Sequence, residues 1–190
     1  MMTNYFQIKH DLEDYLRENL KQSRLEHTYR VAEEAVKLAK IWGEDPAKAE
    51  LAALFHDAYR NINWGQLCEY VNRFGLEARY KDSINLAHSK IAAAAMRELW
   101  GIEDEDMINA VSYHTTGRAG MSLLEKIIFV ADAAEPGRTY PGVDKIRGAL
   151  GESIDRACLI SLKGMMGFLE GQGASIDPDT IRARDYLEEH

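Results

Sequence analysis

The protein has 190 residues, of which 46% are hydrophobic and 28% are charged. This length suits one domain that buries its own core, and this composition excludes bulk disorder. The 31 acidic residues outnumber the 23 basic ones and give a net charge of −8, which argues against nonspecific binding to nucleic acid or to a membrane surface. Any recognition of phosphate must therefore rely on a local metal ion or arginine cluster.

The cysteines and the N-terminal residues indicate a cytoplasmic protein. Cys68 and Cys158 are far apart and form no C-x-x-C pattern, so we expect them to be small buried residues in a reducing compartment. The first fifteen residues contain charge too early for a signal peptide. The longest apolar run, residues 91–96, is too short to span a bilayer.

Apolar residues recur at helical spacing along the chain, which predicts an all-α fold of eight or nine helices. Ser23 with Glu26 predicts a capping box, and Gly43 predicts the end of the helix that follows. The pair Asp45-Pro46 predicts the start of the next helix, which ends near residue 57. Further helices are expected at residues 64–74, 84–100, 103–114, 122–134 and 142–169, and from residue 177 onward.

Two further signals concern the helix at residues 122–134 and the organisation of the whole chain. Ser122 with Glu125 predicts a second capping box, and the segment Glu135-Pro136-Gly137 predicts a break after this helix. No repeat or linker is visible, so residues 1–190 are expected to form a single domain.

Several histidines lie on the apolar faces of these helices. His27 precedes Val31 by four residues, His56 follows a row of alanines at helical spacing, and His114 continues an apolar stripe. Asp57 follows His56 at a helix C-terminus, where the helix dipole disfavours a carboxylate unless a cation is near. Each histidine alone is better explained by a hydrogen bond to a backbone carbonyl than by a metal.

Asp132 interrupts the strongly apolar segment IIFVADAAEP and is expected to face inward. Burial of an unpaired carboxylate costs several kcal/mol, so a metal, a cation or a proton must compensate it. A salt bridge from Arg24 is one alternative. His27, His56, Asp57, His88, His114 and Asp132 together favour a divalent metal, because imidazole and carboxylate suit iron, manganese or zinc.

The order of these residues resembles the H…HD…D pattern of the HD-domain superfamily of metal-dependent phosphohydrolases. More narrowly, the chain resembles the YqeK-type symmetrical bis(5'-nucleosyl)-tetraphosphatases, which cleave diadenosine tetraphosphate into two ADP. The segments that carry the likeness are RLEH at residues 24–27, ALFHD at 53–57, LAH at 86–88, HTTG at 114–117, MSLLEK at 121–126, AD at 131–132, EPGR at 135–138 and DPDT at 177–180. Three positions depart from the family pattern, which has Lys at Arg60, Gly at Ser89 and Asn at Asp185.

The resemblance implies an HD-domain helical bundle with its core at about residues 20–140. It also implies a primary metal, expected to be iron, held by His27, His56, Asp57 and Asp132. Manganese, cobalt, zinc and magnesium are the alternatives, and a second ion stays open. His88 and His114 are expected to contact the phosphate chain or that second ion. Asp57, His88, His114, Arg60 and Arg138 are the expected catalytic residues.

The resemblance also implies which residues bind substrate, with C-terminal helices completing the nucleotide pocket. The expected contacts are His27, Asp57, Arg60, His88, His114, Thr115, Asp132, Arg138 and the segment Ala174, Ser175, Ile176, Asp177. For Arg60 the alternative is a solvated turn, for Arg138 a helix-end cation, and for the segment an ordinary loop.

The substrate is expected to be a dinucleoside polyphosphate and the product ADP or GDP, with a homodimer as an open expectation. One alternative is a phosphohydrolase acting on a nucleoside di- or triphosphate, a cyclic nucleotide or a guanosine polyphosphate. Another is a nucleotide sensor of the same fold that binds without turnover.

Overall fold

A computed structural model describes residues 5–190 and shows an all-helical fold, as the periodicity predicts. Residues 1–4 of the expected single domain lie outside the described residues. The helices, in chain order, are α1 (Tyr5–Asn19), α2 (Gln22–Trp42), α3 (Pro46–His56), α4 (Trp64–Arg73), a short 3₁₀ helix (Ala78–Asp82), α5 (Ile84–Glu98), α6 (Glu105–Tyr113), α7 (Leu123–Ala134), α8 (Val143–Leu150), α9 (Ile154–Gly171) and α10 (Pro178–Glu189).

Within the described residues there are therefore ten α-helices rather than the eight or nine predicted. One addition is α1, for which the sequence offers no clear capping signal. The other arises because the segment predicted as one helix at 142–169 is two helices, separated at residues 151–153. Ser153 caps α9 by accepting a hydrogen bond from the Arg156 backbone N–H, so the chain restarts a helix at this point.

The helix boundaries confirm most of the predicted signals. Gly43 ends α2 in the left-handed conformation, Asp45 caps α3, and Ser122 forms a capping box with Glu125 at α7. The capping box predicted at Ser23 and Glu26 is wrong. The helix begins earlier, at Gln22, because Lys21 takes the N-cap position and its backbone N–H donates to Asn61 Oδ1 at 2.9 Å.

The core is built around α2, α3 and α7. Alanines that are fully buried on α2 and α3 let the two helix backbones approach closely. The same two helices pack on α7, which is buried along most of its length, and α5 and α6 close the other side of α3. Helix α9 covers α7, where Cys158 Sγ lies 3.9 Å from the Lys126 carbonyl oxygen, and α10 packs on α9. The inward faces of α2, α3, α5, α6 and α7 thus meet in one interior region.

No helix within residues 5–190 is both long enough and apolar enough to cross a membrane.

Candidate metal centre

Six side chains that the sequence singles out meet at the helix ends of this interior region. His27 lies on α2, His56 is the last residue of α3, and Asp57 is its C-cap. His88 lies on α5, His114 is the C-cap of α6, and Asp132 lies on α7. We call these six residues the His–Asp cluster. Five of its members are buried and Asp132 is partly exposed, so the cluster opens to solvent on the Asp132 side.

The candidate ligand atoms of the cluster lie close enough to surround one or two ions. They form three overlapping groups in which all the atoms are within 4.8 Å of one another. The groups are His27–His56–Asp57, His56–His114–Asp132 and Asp57–His88–His114.

The Asp57 carboxylate connects the two halves of the cluster. Its Oδ2 lies 3.3 Å from His56 Nε2 and 3.7 Å from His27 Nε2, whereas its Oδ1 lies 3.1 Å from His88 Nε2. Arg24 donates to Oδ2 at 2.8 Å and supplies the cation that a carboxylate at a helix C-terminus requires. The alternative in which Arg24 compensates Asp132 is therefore wrong, because Arg24 reaches Asp57 from the preceding turn of α2.

Each imidazole of the cluster places its Nδ1 beside an acceptor and directs its Nε2 into the cluster. Histidines that bind metals almost always donate their other ring N–H in this way, which fixes the ring orientation. The acceptors are the Glu135 carboxylate for His27 (3.0 Å), the Ala53 carbonyl for His56 (2.5 Å), the Ile84 carbonyl for His88 (2.9 Å) and the Val111 carbonyl for His114 (2.8 Å).

His56 provides the sharpest test of whether a metal fits. Its ring is fully buried, its Nδ1 donates to the Ala53 carbonyl, and its Nε2 makes no hydrogen bond of normal geometry, although it lies 3.3 Å from Asp57 Oδ2. A buried polar atom without a partner costs about 1–3 kcal/mol, so it requires an explanation. A divalent ion bound by Nε2 removes this cost, and the surrounding imidazole and carboxylate groups are suitable ligands for such an ion.

His88 differs from the other three imidazoles. Its Nδ1 also lies 3.1 Å from Arg60 Nη1, and its Nε2 lies 3.1 Å from both Asp57 Oδ1 and His114 Nε2. His88 is thus the imidazole of the cluster that Arg60 contacts, and its Nε2 faces both the Asp57 carboxylate and the His114 ring.

The electrostatic environment favours the ligand forms of Asp57, Asp132 and His114, whereas Asp57 and Asp132 raise the pKa of His56 against the effect of its burial. Burial raises the pKa of Asp57, but His56 and His88 outweigh it and hold that pKa well below its usual value. Burial likewise opposes ionisation of Asp132, whereas His27, His56 and Arg138 lower its pKa. Burial, with the nearby His56 and His88, lowers the pKa of His114 to about 3. At neutral pH the centre thus holds two carboxylates and a neutral His114, the forms that bind a metal.

Two arginines at the edge of the cluster are those expected from the sequence. Arg138 donates to the Asp132 side chain and, at 2.9 Å, to the Asp132 carbonyl. Arg60 donates to Asn85 Oδ1 at 2.7 Å and contacts His88. Both side chains are therefore held beside the cluster rather than merely solvated.

The remaining expected substrate residues lie at differing positions. Thr115 donates to Ser89 Oγ at 3.1 Å, on the turn that follows His114. Asp177 caps α10 and accepts a hydrogen bond from Arg79 at 2.8 Å, which joins the C-terminal segment to the 3₁₀ helix. Ala174 and Ser175 are exposed and Ile176 is partly buried. Within the described part of the chain, no contact joins the segment 174–177 to the His–Asp cluster.

Glu135 is the residue of this region that sequence reasoning missed. It is 2% exposed, and its carboxylate accepts hydrogen bonds from His27, Arg30 and the Gly137 backbone. Burial raises its pKa, but these three donors outweigh that effect and keep the group ionised. The sequence shows Glu135 as a helix-breaking position and as part of the EPGR segment but gives it no role in the site, because its partner His27 lies 108 residues earlier.

Comparison with known proteins agrees with this geometry. The family model described as "HD domain" matches residues 24–137, more than half of the chain. The chain therefore belongs to the HD domain family, whose members' metal dependence fits the His–Asp cluster.

Curated relatives of similar length identify a narrower family within the HD domain family. The chain is 36% identical to a Bacillus subtilis protein over 90% of this chain and 93% of the relative. It is 42% identical to a Staphylococcus aureus protein over 90% of this chain and 89% of the relative. Both relatives are named "Bis(5'-nucleosyl)-tetraphosphatase, symmetrical", and the chain belongs to their family.

A solved structure from Clostridium acetobutylicum has the same fold. It is described as a predicted HD superfamily hydrolase involved in NAD metabolism. It superposes with a TM-score of 0.90 at 38% identity and covers 95% of this chain and 97% of its own.

Proposed function

We propose that this protein hydrolyses diadenosine tetraphosphate symmetrically into two ADP in a metal-dependent reaction. The observation that carries the proposal is the His–Asp cluster, where buried Nε2 and carboxylate atoms converge and His56 Nε2 makes no hydrogen bond of normal geometry. The relatives named as symmetrical tetraphosphatases support the substrate class, since they match the chain over nearly its whole length.

His27, His56, Asp57 and Asp132 are proposed to hold the primary ion. Two imidazoles and two carboxylates suit iron, our expected ion, and also manganese, cobalt or zinc. A bound divalent ion supplies a water of lowered pKa and polarises a phosphoryl oxygen. The neutral His114 is available to a second ion through the group that it forms with Asp57 and His88.

Symmetrical hydrolysis breaks the central P–O–P bridge of the tetraphosphate. The water oxygen bonds to one central phosphorus, and the bridging oxygen leaves with the other ADP. Asp57 Oδ1, on the His88 side of the cluster, is proposed to orient the attacking water, whose proton passes to the solvent. His88, which Arg60 contacts at Nδ1, is the proposed proton donor to the leaving half.

Arg60 and Arg138 are proposed to neutralise the phosphate chain. Phosphoryl transfer depends on positioning and charge stabilisation, and guanidinium groups bind phosphate oxygens in pairs. The partly exposed Arg138 side chain lies on Asp132, where the cluster opens to solvent. The Thr115 hydroxyl, on the turn after His114, is a further proposed donor.

We also propose that the chain works as one domain, in which the C-terminal helices complete the nucleotide pocket. The Arg79–Asp177 ion pair supports this, because it attaches the start of α10 to the segment that precedes α5. The segment Ala174–Ser175–Ile176–Asp177 is then the proposed nucleoside contact.

Chromatography of reaction products tests the proposed function. The protein is purified anaerobically, its metal content is measured, and it is incubated with a panel of nucleotides that includes diadenosine tetraphosphate. Two ADP and no other product support symmetrical cleavage. AMP with ATP shows asymmetrical cleavage, faster turnover of another nucleotide shows a different substrate, and binding without turnover shows a sensor. Light scattering of the same sample tests the expected homodimer.

A further inference from the structure

We propose that Glu135 is a positioning residue that orients His27 and raises its affinity for the metal. This inference rests on the proposed metal centre and concerns a residue outside the His–Asp cluster. Its basis is a continuous chain of contacts that runs from Arg30 through Glu135 to His27 and then into the cluster.

The Glu135 carboxylate is held in one position by contacts at both of its oxygens. Oε2 accepts from Arg30 Nε at 2.8 Å and from the Gly137 backbone N–H, while Oε1 faces His27 Nδ1 at 3.0 Å. The backbone of the same residue is also held, because Arg147 Nη2 donates to the Glu135 carbonyl at 2.7 Å. A buried carboxylate with this many partners has little freedom to move.

This contact determines which nitrogen of His27 faces the cluster. A carboxylate oxygen can only accept, so Nδ1 must carry the proton of that bond. Nε2 is then the atom that is left for an ion, and it lies 3.0 Å from Asp132 Oδ1. The other three imidazoles face backbone carbonyls at Nδ1, so His27 alone among the four has an anionic acceptor. An anionic acceptor makes the opposite nitrogen a stronger ligand.

Gly137 belongs to the same arrangement. A Cβ at this position would lie 2.6 Å from Arg30 Nε, so the guanidinium packs directly against the Gly137 backbone. The break after α7 therefore brings a backbone N–H and an arginine to one carboxylate oxygen. This gives the Glu135-Pro136-Gly137 segment a function beyond ending the helix.

Substitutions at Glu135 separate orientation from charge. In Glu135→Gln the amide oxygen still accepts from His27, but the amide N–H group then faces the donors of Arg30 and Gly137. In Glu135→Ala both the orientation and the charge are lost. Loss of such an outer partner weakens metal affinity by about 10–100-fold. We expect Gln near the lower figure and Ala near the upper one.

Glu125 is a matched control for these variants. It is also 2% exposed and is held by Arg118 at 2.7 Å, but it contacts no member of the His–Asp cluster. Glu125→Gln therefore loses a buried, arginine-paired carboxylate without affecting His27. We expect it to lower the melting temperature of the metal-free protein about as much as Glu135→Gln does, and to leave metal affinity unchanged.

The experiment is a titration of metal-free protein with Co²⁺ in competition with a chelator, followed by visible absorption, with melting temperatures measured in parallel. The expected order of affinity is parent, Glu135→Gln, then Glu135→Ala, with Glu125→Gln equal to the parent. Equal affinity of the parent and Glu135→Gln overturns the inference alone. No Co²⁺ binding by the parent overturns the metal centre and the inference together. If Glu135→Ala does not fold, Arg30→Ala replaces it and must weaken affinity.

Discussion

The substitution Asp132→Asn should remove most of the metal-induced stabilisation while leaving the fold intact. The Asp132 carboxylate faces His27 Nε2 at 3.0 Å and binds Arg138, on a helix whose other residues are mainly apolar. Asparagine has nearly the same shape and keeps one acceptor oxygen. It lacks the negative charge that attracts a divalent ion, so the loss falls on metal binding.

The size of the effect follows from linkage and chain length. A metal at 100 times its dissociation constant stabilises the folded state by about 2.7 kcal/mol. For a chain of this size, 1 kcal/mol shifts the melting temperature by about 2–4 °C, so the parent should gain roughly 5–11 °C. Loss of a direct ligand should weaken affinity by at least the ~100-fold seen for outer partners. The same metal concentration then contributes only about 0.4 kcal/mol, or roughly 1–2 °C.

Differential scanning fluorimetry of chelator-treated protein, with and without Mn²⁺, measures both shifts. Asp104→Asn is the matched control, because the Asp104 side chain is 20% exposed against 22% for Asp132 and is also paired with a cation, Lys48. The control should keep the full metal-induced shift. The reasoning fails if Asp132→Asn keeps the parental shift, or if Asp104→Asn loses it as well.

Three further predictions use other parts of the molecule. Arg60→Ala and Arg138→Ala should each lower kcat by about 10²-fold, as loss of one charge-stabilising donor does, while metal content measured by elemental analysis stays near parental. Gly117→Ala should lower the melting temperature more than Gly101→Ala. Both glycines have positive φ, but only a Cβ at Gly117 would meet α10, at 3.1 Å from Ala183 Cβ. Equal losses of melting temperature would contradict this packing. Burial raises the pKa of the Cys158 thiol, so iodoacetamide at pH 8 should modify it only after unfolding, as mass spectrometry can show.

Local signals were sufficient for most of the helices. Asp45, Ser122 and Gly43 act through backbone groups within a few residues, so their effect is visible in sequence. The start of α2 was not visible in the sequence, because Lys21 is held by Asn61, 40 residues later. The same limit explains α1, whose packing on α3 is a tertiary contact.

The candidate site, like the helices, could be predicted from the sequence only in part. Helical spacing indicated that four residues of the His–Asp cluster face inward, residue type added Asp57 and His88, and the structure brings all six together. The partners that orient them come from distant parts of the chain and leave no local pattern. Arg24 shows this, since it pairs with Asp57 rather than Asp132, and so does Glu135, whose contact with His27 depends on how α2 packs against the end of α7.

An anomalous difference map from crystals of the protein loaded with Mn²⁺ tests whether the His–Asp cluster is a metal centre. We expect a peak at coordination distance, about 2 Å, from His27 Nε2, His56 Nε2 and carboxylate oxygens of Asp57 and Asp132. A second peak between Asp57, His88 and His114 would show a second ion. A map without a peak among these side chains, from protein that folds normally, would contradict the metal centre.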